Sequence, residues 1–148
     1  MYKAIYFDLD GTLANLYGVE GWLDDLCAGR TRPYREAKPL VNMRKLGRIL
    51  NILQKQSWHI GIISWLSKSG TDAYNERVAV TKEKWLARHL GSVHFDEIKI
   101  AKYGTPKQSL ADHAFGILFD DEQPNRDNWV GTAYDVHNIL AVLGALVD

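Results

Sequence analysis

The sequence lacks most features that would place it outside the globular proteins. It has one cysteine, Cys27, which excludes an intramolecular disulfide and any zinc site built on several thiolates. Its 18 basic and 18 acidic residues balance, so no global field favours nucleic acid or an anionic membrane. No apolar run approaches the ~20 residues of a membrane span, and we find no internal repeat or low-complexity segment. The first residues run straight into acid at Asp8, so we expect no signal peptide and a cytosolic protein without a membrane partner.

What is present is typical of one folded domain. The chain has 148 residues, of which 46% are hydrophobic and 24% charged. A chain of this length buries roughly two thirds of its unfolded surface, which is enough for a sizeable core. We therefore predict a single domain over residues 1–148.

Short apolar runs alternate with amphipathic segments along the chain. Pro39 is expected to open the first long helix, and Gly91 to end the second in the left-handed conformation. Alternating strands and helices favour an α/β fold, with a three-layer, Rossmann-like parallel sheet and helices on both faces. The predicted strands cover residues 3–9, 58–64, 97–100, 116–119 and 133–136, and the predicted helices cover 39–53, 71–90 and 138–147.

The segment of residues 14–38 interrupts this alternation. It contains scattered glycines and aromatic residues and shows little periodicity. Long excursions of this kind in compact domains are commonly functional loops or lids. We expect a small flap, or minimal cap, with room for one short helix.

Polar residues follow three of the predicted strands. Asp8 and Asp10 end the first strand, Ser64 the second, and Asp120 with Asp121 a later one. Ligands of parallel α/β sheets lie outside the carboxyl ends of the strands. Four carboxylates at one edge repel one another unless a cation is present. Mg²⁺ prefers oxygen ligands and leaves some of its coordination positions for a substrate phosphate. The pattern predicts a magnesium and phosphoryl site.

The spacing within the first group suggests a division of labour. Of Asp8 and Asp10, one can act as nucleophile and the other as general acid and then base. Gly11 and Thr12 follow at a turn that can direct backbone N–H groups at phosphate oxygens. A lysine is expected to complete the site, because negative charge accumulates on a transferring phosphoryl group.

These residues resemble the haloacid dehalogenase-like superfamily of phosphohydrolases. Residues 7–13 (FDLDGTL) match its first motif without change, residues 60–64 (IGIIS) its second, and residues 117–121 (ILFDD) its fourth. The resemblance implies a phosphoaspartyl mechanism with Asp8 as nucleophile and Asp10 as acid/base. It further implies that Ser64 binds phosphate, and that Mg²⁺ is held by Asp8, the backbone carbonyl of Asp10, and Asp120 or Asp121.

The lysine of the third motif has four candidates in the sequence. Residues 82–91 resemble the lysine-bearing helix of the 5'(3')-deoxyribonucleotidase branch, which favours Lys82. Lys107 ranks second because its loop precedes the strand that ends at Asp120. Lys84 and Lys102 complete the set.

The flap is shorter than the helical cap of those nucleotidases. Asn15 and Tyr17 are candidate substrate-binding residues, together with Gly11 and Thr12 of the preceding turn. Tyr17 and Trp22 can stack on a base, or they can simply pack the flap onto the body. Arg30 and Arg32 can hold a second phosphate.

Three functions are compatible with this pattern. The first is a magnesium-dependent phosphomonoester hydrolase acting on small molecules, with nucleoside monophosphates as the best substrate. The second is a phosphatase of polynucleotide ends or phosphoproteins, the only role in which nucleic acid is expected as a partner. The third is a scaffold that binds metal and phosphate without turnover, and the intact Asp8 and Asp10 pair argues against it. The sequence leaves the oligomeric state open.

Overall fold

A computed structural model describes residues 3–147 of the chain. Its strands are β1 (Ala4–Phe7), β2 (Ala14–Asn15), β3 (Lys38–Pro39), β4 (His59–Trp65), β5 (Glu97–Ala101), β6 (Ile117–Phe119) and β7 (Thr132–Tyr134). Its helices are α1 (Trp22–Cys27), α2 (Arg32–Glu36), α3 (Met43–Lys55), α4 (Asp72–His89), α5 (Lys107–Leu110), α6 (Gln123–Asn128) and α7 (Ile139–Leu146). The two ends of the predicted domain, residues 1–2 and 148, lie outside this description.

The main sheet has five parallel strands in the order β5-β4-β1-β6-β7. Phe7, the last residue of β1, lies beside Ile62 of β4 and Phe119 of β6. The carboxyl ends of these three strands therefore meet at one edge of the sheet. This register brings the polar residues that follow them together.

Helices cover both faces of the sheet and make it the middle of three layers. On one face, apolar residues of α3, α4 and α7, including Leu50, Trp85 and Leu143, pack against β1 and β4 in the main core. On the other face, Leu110 of α5 and Trp129 after α6 pack with residues of β1, β4 and β6. The predicted three-layer α/β fold is confirmed.

The flap is bounded by β2 and β3, which form a two-stranded antiparallel sheet. It contains two short helices, α1 and α2, where we expected one. Buried Tyr34 of α2 packs with Tyr74 and Val78 of α4, and the Tyr74 hydroxyl donates to the Arg30 carbonyl at 2.8 Å. The flap is therefore held against the first half of α4.

The predicted start of α3 and the predicted left-handed conformation of Gly91 are wrong, although α4 does end at His89, just before Gly91. Pro39 does not open a helix: it pairs with Ala14, and α3 begins at Met43 after Asn42, whose side chain accepts from the Lys45 N–H at 3.1 Å. Gly91 is not among the positive-φ glycines of residues 3–147. A Cβ at Gly91 would lie 2.5 Å from the Ala87 carbonyl oxygen, so this position excludes side chains by close approach to backbone.

None of the helices in the described part of the chain has the length and apolar character needed to cross a membrane.

Candidate active site

Asp8 follows β1 directly and lies buried at the carboxyl edge of the sheet. Its Oδ1 accepts from the Lys107 ammonium at 2.9 Å, and its Oδ2 accepts from the Thr12 hydroxyl at 3.0 Å. Lys107 itself is 3% exposed and lies at the start of α5. A cation and a hydroxyl thus fix both oxygens of the carboxylate.

Asp120 follows β6 and is fully buried. Its Oδ2 accepts from Lys107 at 2.7 Å and from the Asn125 amide at 3.2 Å, while Oδ1 accepts from the Glu122 N–H at 2.9 Å. Lys107 therefore bridges the acids at the ends of β1 and β6. The bridge depends on β1 and β6 being neighbours in the sheet.

Asp121 lies on the other side of the same group, beside the Thr12 turn. The Asp121 N–H donates to the Thr12 hydroxyl oxygen at 3.2 Å. Gly11 has a φ of +81°, and a Cβ there would lie 2.4 Å from Asp121 Oδ2. Glycine is required at this turn for both reasons, because a side chain would be strained and would displace Asp121.

Asp10 belongs to a second ion pair. Lys82 of α4, 1% exposed, lies 2.8 Å from Asp10 Oδ2 and donates to the Ser64 hydroxyl at 2.8 Å and the Trp65 carbonyl at 2.6 Å. These three contacts use all the donors of an ammonium group. The structure thus brings both leading lysine candidates to the site and gives them different carboxylates. Lys84 and Lys102 are exposed.

Burial and crowding shift the protonation of the four acids. Burial alone would raise the pKa of Asp8, but Lys107 and hydrogen bonds hold it below its usual range. Burial raises the pKa of Asp10, against the opposing charge of Lys82. Burial and the Asp8 charge raise the pKa of Asp120 to about 6. Burial, a hydrogen bond to Asp8 and the charges of Asp8 and Asp120 raise that of Asp121 to about 8.

The donor set fits a hard divalent cation. Carboxylate oxygens of Asp8, Asp120 and Asp121 lie within 4.8 Å of one another, and oxygen is the ligand that Mg²⁺ prefers. Lys107 contacts two of these three carboxylates, Asp8 and Asp120, and one ammonium group cannot neutralise three ionised carboxylates. A divalent cation would relieve this excess charge.

A cleft of about 500 Å³ opens above these residues. Its floor includes Asp8, Asp10, Lys107 and Asp121. The flap contributes one side, and the other comes from Trp65, the loop after β4 and Tyr103. The nucleophile candidate and the acid/base candidate therefore face the same open cleft.

The candidate substrate-binding residues separate into two groups. Tyr17 lines the cleft. Gly11, Thr12 and Asn15 line a neighbouring hollow that shares Tyr17 and Asp121 with the cleft. The Asn15 side chain lies close to Gly18, so it packs within the flap.

The suggestion that the flap arginines hold a second phosphate is not supported by their positions. Arg32 Nε lies 2.5 Å from Asp25, and Arg30 lies 3.3 Å from the same carboxylate. Arg32 also contacts Glu36 at 3.3 Å and the Glu20 carbonyl at 2.8 Å. Neither arginine lines the cleft. Both instead hold the two flap helices together.

Sequence reasoning missed the body side of the cleft. Trp65 and Tyr103 lie in edge-to-face contact with ring centroids 5.0 Å apart, and both line the cleft. The signal available was the position of Trp65 directly after Ser64 at a strand end. No comparable signal in the sequence pointed to Tyr103, because the position of its loop depends on the path that the chain takes between β5 and α5.

Fold and site together define a parallel α/β protein with a carboxylate and lysine centre at the topological edge where such proteins bind ligands. Among solved structures, the chain is similar to D,D-heptose 1,7-bisphosphate phosphatase from Burkholderia thailandensis (13% identity, covering 96% of this chain and 74% of that one, TM-score 0.49). It is also similar to an uncharacterized protein from Corynebacterium glutamicum ATCC 13032 Kitasato (16% identity, covering 97% of this chain and 96% of that one, TM-score 0.48). A third similar structure is L-2-haloacid dehalogenase from Xanthobacter autotrophicus (11% identity, covering 86% of this chain and 73% of that one, TM-score 0.47).

At these identities the likeness concerns the general arrangement of strands and helices, and the activities of those proteins are their own. No protein-family model and no curated protein matches the sequence.

Proposed function

We propose that this protein is a magnesium-dependent phosphomonoester hydrolase that acts through an aspartyl-phosphate intermediate on Asp8. One observation carries the proposal: Asp8, whose two oxygens accept from Lys107 and Thr12, faces the same cleft as Asp10. The charge of Lys107 holds the pKa of Asp8 below its usual range, and burial raises the pKa of Asp10. An ionised carboxylate suits a nucleophile, and a protonated one suits a general acid.

In the first step an Asp8 carboxylate oxygen forms a bond to phosphorus while the bond from phosphorus to the leaving oxygen breaks. Asp10 gives its proton to that oxygen, and the alcohol leaves. In the second step Asp10, now ionised, takes a proton from a water molecule whose oxygen bonds to phosphorus. The bond between Asp8 and phosphorus breaks, which releases inorganic phosphate and restores both carboxyl groups.

The surrounding residues have distinct supporting roles in this proposal. Lys107 holds Asp8 and Asp120. Lys82 links Asp10 to Ser64, whose hydroxyl is assigned to the phosphate by the resemblance to the superfamily. Asp8, Asp120 and Asp121 would hold Mg²⁺, with the backbone carbonyl of Asp10. The ion supplies positive charge to the phosphoryl oxygens when it is bound.

The proposed substrates are small phosphomonoesters. Nucleoside monophosphates are the class implied by the resemblance to the deoxyribonucleotidase branch, and the aromatic residues lining the cleft support that choice. We also propose that the enzyme acts in the cytoplasm.

The test is hydrolysis of p-nitrophenyl phosphate with and without Mg²⁺. We expect turnover that is abolished by a chelator and restored by added Mg²⁺. Asp8→Asn should lower kcat by about a thousandfold or more because it removes the nucleophile. Asp127→Asn is the matched control: the same change, at an exposed residue that does not line the cleft, should leave kcat unchanged.

Circular dichroism of both variants checks that the fold is retained. Absence of magnesium-dependent turnover on every phosphate ester tested, with a folded wild type, would overturn the proposal. Equal activity of Asp8→Asn and wild type would do the same.

A further inference from the structure

Two aromatic pairs line the cleft, one on the flap and one on the body. Tyr17 and Trp22 of the flap meet edge to face with ring centroids 5.0 Å apart. Trp65 and Tyr103 of the body meet in the same way at the same centroid distance. All four residues line the cleft. Tyr34 also lines the cleft, but it is buried in the packing of the flap on α4. The two pairs therefore place aromatic surface on both sides of one cleft.

One ring of each pair is exposed, and Trp22 and Trp65 are partly buried. Tyr17 is 50% exposed and Tyr103 48%, although other aromatic residues such as Tyr6 and Phe7 are fully buried. Clustered exposed apolar surface in a concave site is a mark of ligand binding. The position of Trp65 is fixed, because its indole N–H donates to the Thr105 carbonyl at 2.8 Å.

Trp65 also connects the aromatic wall to the reacting centre. The Lys107 ammonium lies 5.3 Å from the centroid of its ring, and the same ammonium contacts Asp8. Trp65 therefore lies close to the ammonium group that holds Asp8. In a phosphoryl transfer to Asp8 the leaving oxygen departs in line, on the side of the phosphorus away from Asp8, which is the side of the cleft that the aromatic pairs line.

The charges around the cleft argue against a second phosphate. Among residues 3–147, the acids lining it are Asp8, Asp10, Asp121 and Glu122, and the cations are Lys68 and Lys107. Lys107 is already paired with two carboxylates, and Lys68 lies 5.7 Å from the Tyr103 ring centroid. Asp10 is paired with Lys82, and Mg²⁺ would take up the charge of Asp8 and Asp121. A second phosphate would then find one exposed lysine, Lys68, and the carboxylate of Glu122 among the described residues that line the cleft.

We propose that the cleft selects phosphomonoesters whose leaving group is a planar aromatic ring close to the phosphate and carries no second phosphate. This proposal rests on the proposed hydrolase function. The ring stacks on the Tyr17 and Trp22 pair and on the Trp65 and Tyr103 pair, and the described lining of the cleft offers no cluster of unpaired cations that would bind a second phosphate. Nucleoside monophosphates satisfy this rule, as do simple aryl-methyl phosphates.

The first test compares benzyl phosphate with cyclohexylmethyl phosphate. The two esters have similar size and leaving-group chemistry and differ in whether the ring is planar and aromatic. We expect kcat/KM to be about tenfold higher for benzyl phosphate, because aromatic contacts strengthen binding beyond area burial. We expect a benzyl phosphate carrying a second phosphate group on its ring to be hydrolysed more slowly than benzyl phosphate.

Variants assign the preference to the aromatic pairs. Trp22→Leu and Tyr103→Leu should each reduce the ratio of kcat/KM for the two esters toward one, while hydrolysis of cyclohexylmethyl phosphate is retained. The matched control is Phe115→Leu, an aromatic residue that is 63% exposed but does not line the cleft. It should leave the ratio unchanged.

A second measurement does not depend on turnover. Cys27 is the one cysteine of the chain and lines the cleft, so its alkylation by iodoacetamide reports on occupancy of the site. With Mg²⁺ present, benzylphosphonate should slow alkylation at concentrations where methylphosphonate does not. Denatured protein, alkylated at equal rates with either phosphonate, is the control for reagent effects.

The outcomes separate failure of this inference from failure of the hydrolase proposal. Equal kcat/KM for the two esters, or equal protection by the two phosphonates, overturns aromatic selection while the hydrolase stands. Preference for the bisphosphate that is lost in Lys68→Met overturns the exclusion of a second phosphate. If no ester is hydrolysed, the hydrolase proposal is overturned. If, in addition, the two phosphonates protect Cys27 equally, aromatic selection is overturned as well.

Discussion

Two clusters built around buried carboxylates lie on the same sheet, and they differ in how many hydrogen-bond donors and cations each carboxylate contacts. The Asp8 cluster (Asp8, Asp120, Asp121) lies at the carboxyl ends of β1 and β6, and the Glu97 cluster (Tyr6, His59, Glu97, Asp112) lies by β1, β4 and β5. Each offers three potential metal-ligand atoms within 4.8 Å of one another, those of the Glu97 cluster coming from His59, Glu97 and Asp112.

The Glu97 cluster has one buried carboxylate surrounded by donors. Glu97 Oε1 accepts from the Tyr6 hydroxyl and lies 2.9 Å from His59 Nε2, and Oε2 faces the Asp112 N–H at 3.4 Å. Tyr6 and Glu97 are both paired with Gly61 of the strand between them. A Cβ at Gly61 would lie 2.8 Å from each of their side chains, so glycine lets the two meet across β4.

In the Asp8 cluster the carboxylates outnumber the cations that contact them. The ammonium of Lys107 contacts two of its three carboxylates, Asp8 and Asp120, and burial together with the neighbouring acidic charges raises the pKa values of Asp120 and Asp121. This cluster opens to the cleft through Asp8 and Asp121. The comparison teaches that local geometry alone does not distinguish a structural carboxylate from a reactive one. The ratio of carboxylates to donors does, because surplus charge at a cleft is what a cation and a substrate can satisfy.

The largest effect is expected from removing the shared cation. Lys107→Met leaves Asp8 and Asp120 buried without their ammonium partner. We expect kcat/KM to fall by about a hundredfold or more and the free energy of unfolding without metal to fall by about 3 kcal/mol. Added Mg²⁺ should restore part of the lost stability, because it supplies the missing positive charge. Steady-state kinetics and denaturant unfolding measure the two effects.

Lys102→Met is the control for Lys107→Met, since Lys102 is exposed in the preceding loop. It should change neither activity nor stability. If Lys107→Met kept wild-type stability in a chelator, the Asp8 cluster would not be held together by this lysine and the comparison would fail.

An intermediate effect is expected at the Glu97 cluster. Glu97→Gln keeps the shape of the side chain but removes the charge that Tyr6 and His59 contact. We expect the free energy of unfolding to fall by about 1–3 kcal/mol, with kcat/KM unchanged. A loss of activity without a loss of stability would show that this cluster serves the reaction.

Lys99→Met tests the exposed side of the same cluster. Lys99 is 38% exposed in its side chain and lies 3.9 Å from Glu97 and 3.8 Å from Asp112. Contacts of this length at the surface contribute little, so we expect less than about 0.5 kcal/mol. A loss as large as that of Glu97→Gln would mean that Lys99, rather than Tyr6 and His59, stabilises the buried carboxylate.

The contrast between the clusters also explains what the sequence could predict. Asp8, Asp10, Ser64, Asp120 and Asp121 were expected at one edge because each follows an apolar run, and parallel strands end together. Lys82 and Lys107 were named as candidates, but their partners depend on how α4 and the α5 loop pack on the sheet. Periodicity carries no information about that packing.

The flap and the Glu97 cluster were less accessible to sequence reasoning. Helices α1 and α2 have six and five residues, too few to show a period of 3.6. The arginines of the flap pair with Asp25 and Glu36 over short distances along the chain, which a charge pattern alone does not distinguish from phosphate binding. Gly61 in a strand interior was a usable signal for the Glu97 cluster, because such glycines mark a close approach of neighbours.

A small effect on stability, of opposite sign to the others, is expected from Asp121→Asn. In the folded protein the pKa of Asp121 is raised to about 8, against about 3.9 for an unfolded aspartate. A raised carboxyl pKa means that the folded state loses stability as pH rises from about 4 to about 8, because the unfolded chain ionises first. Asparagine does not titrate, so in a chelator the variant should exceed wild type by about 1 kcal/mol at pH 8 and by less at pH 5.

Magnesium should reverse the order of these two proteins. Wild type should gain stability on adding Mg²⁺, whereas Asp121→Asn, which lacks one of the three carboxylates, should gain less. Thermal unfolding at pH 5 and pH 8, with chelator and with Mg²⁺, gives the four values needed. A variant that is less stable than wild type in chelator at pH 8 would show that Asp121 is satisfied as Glu97 is, and the distinction between the two clusters would then rest on Lys107 alone.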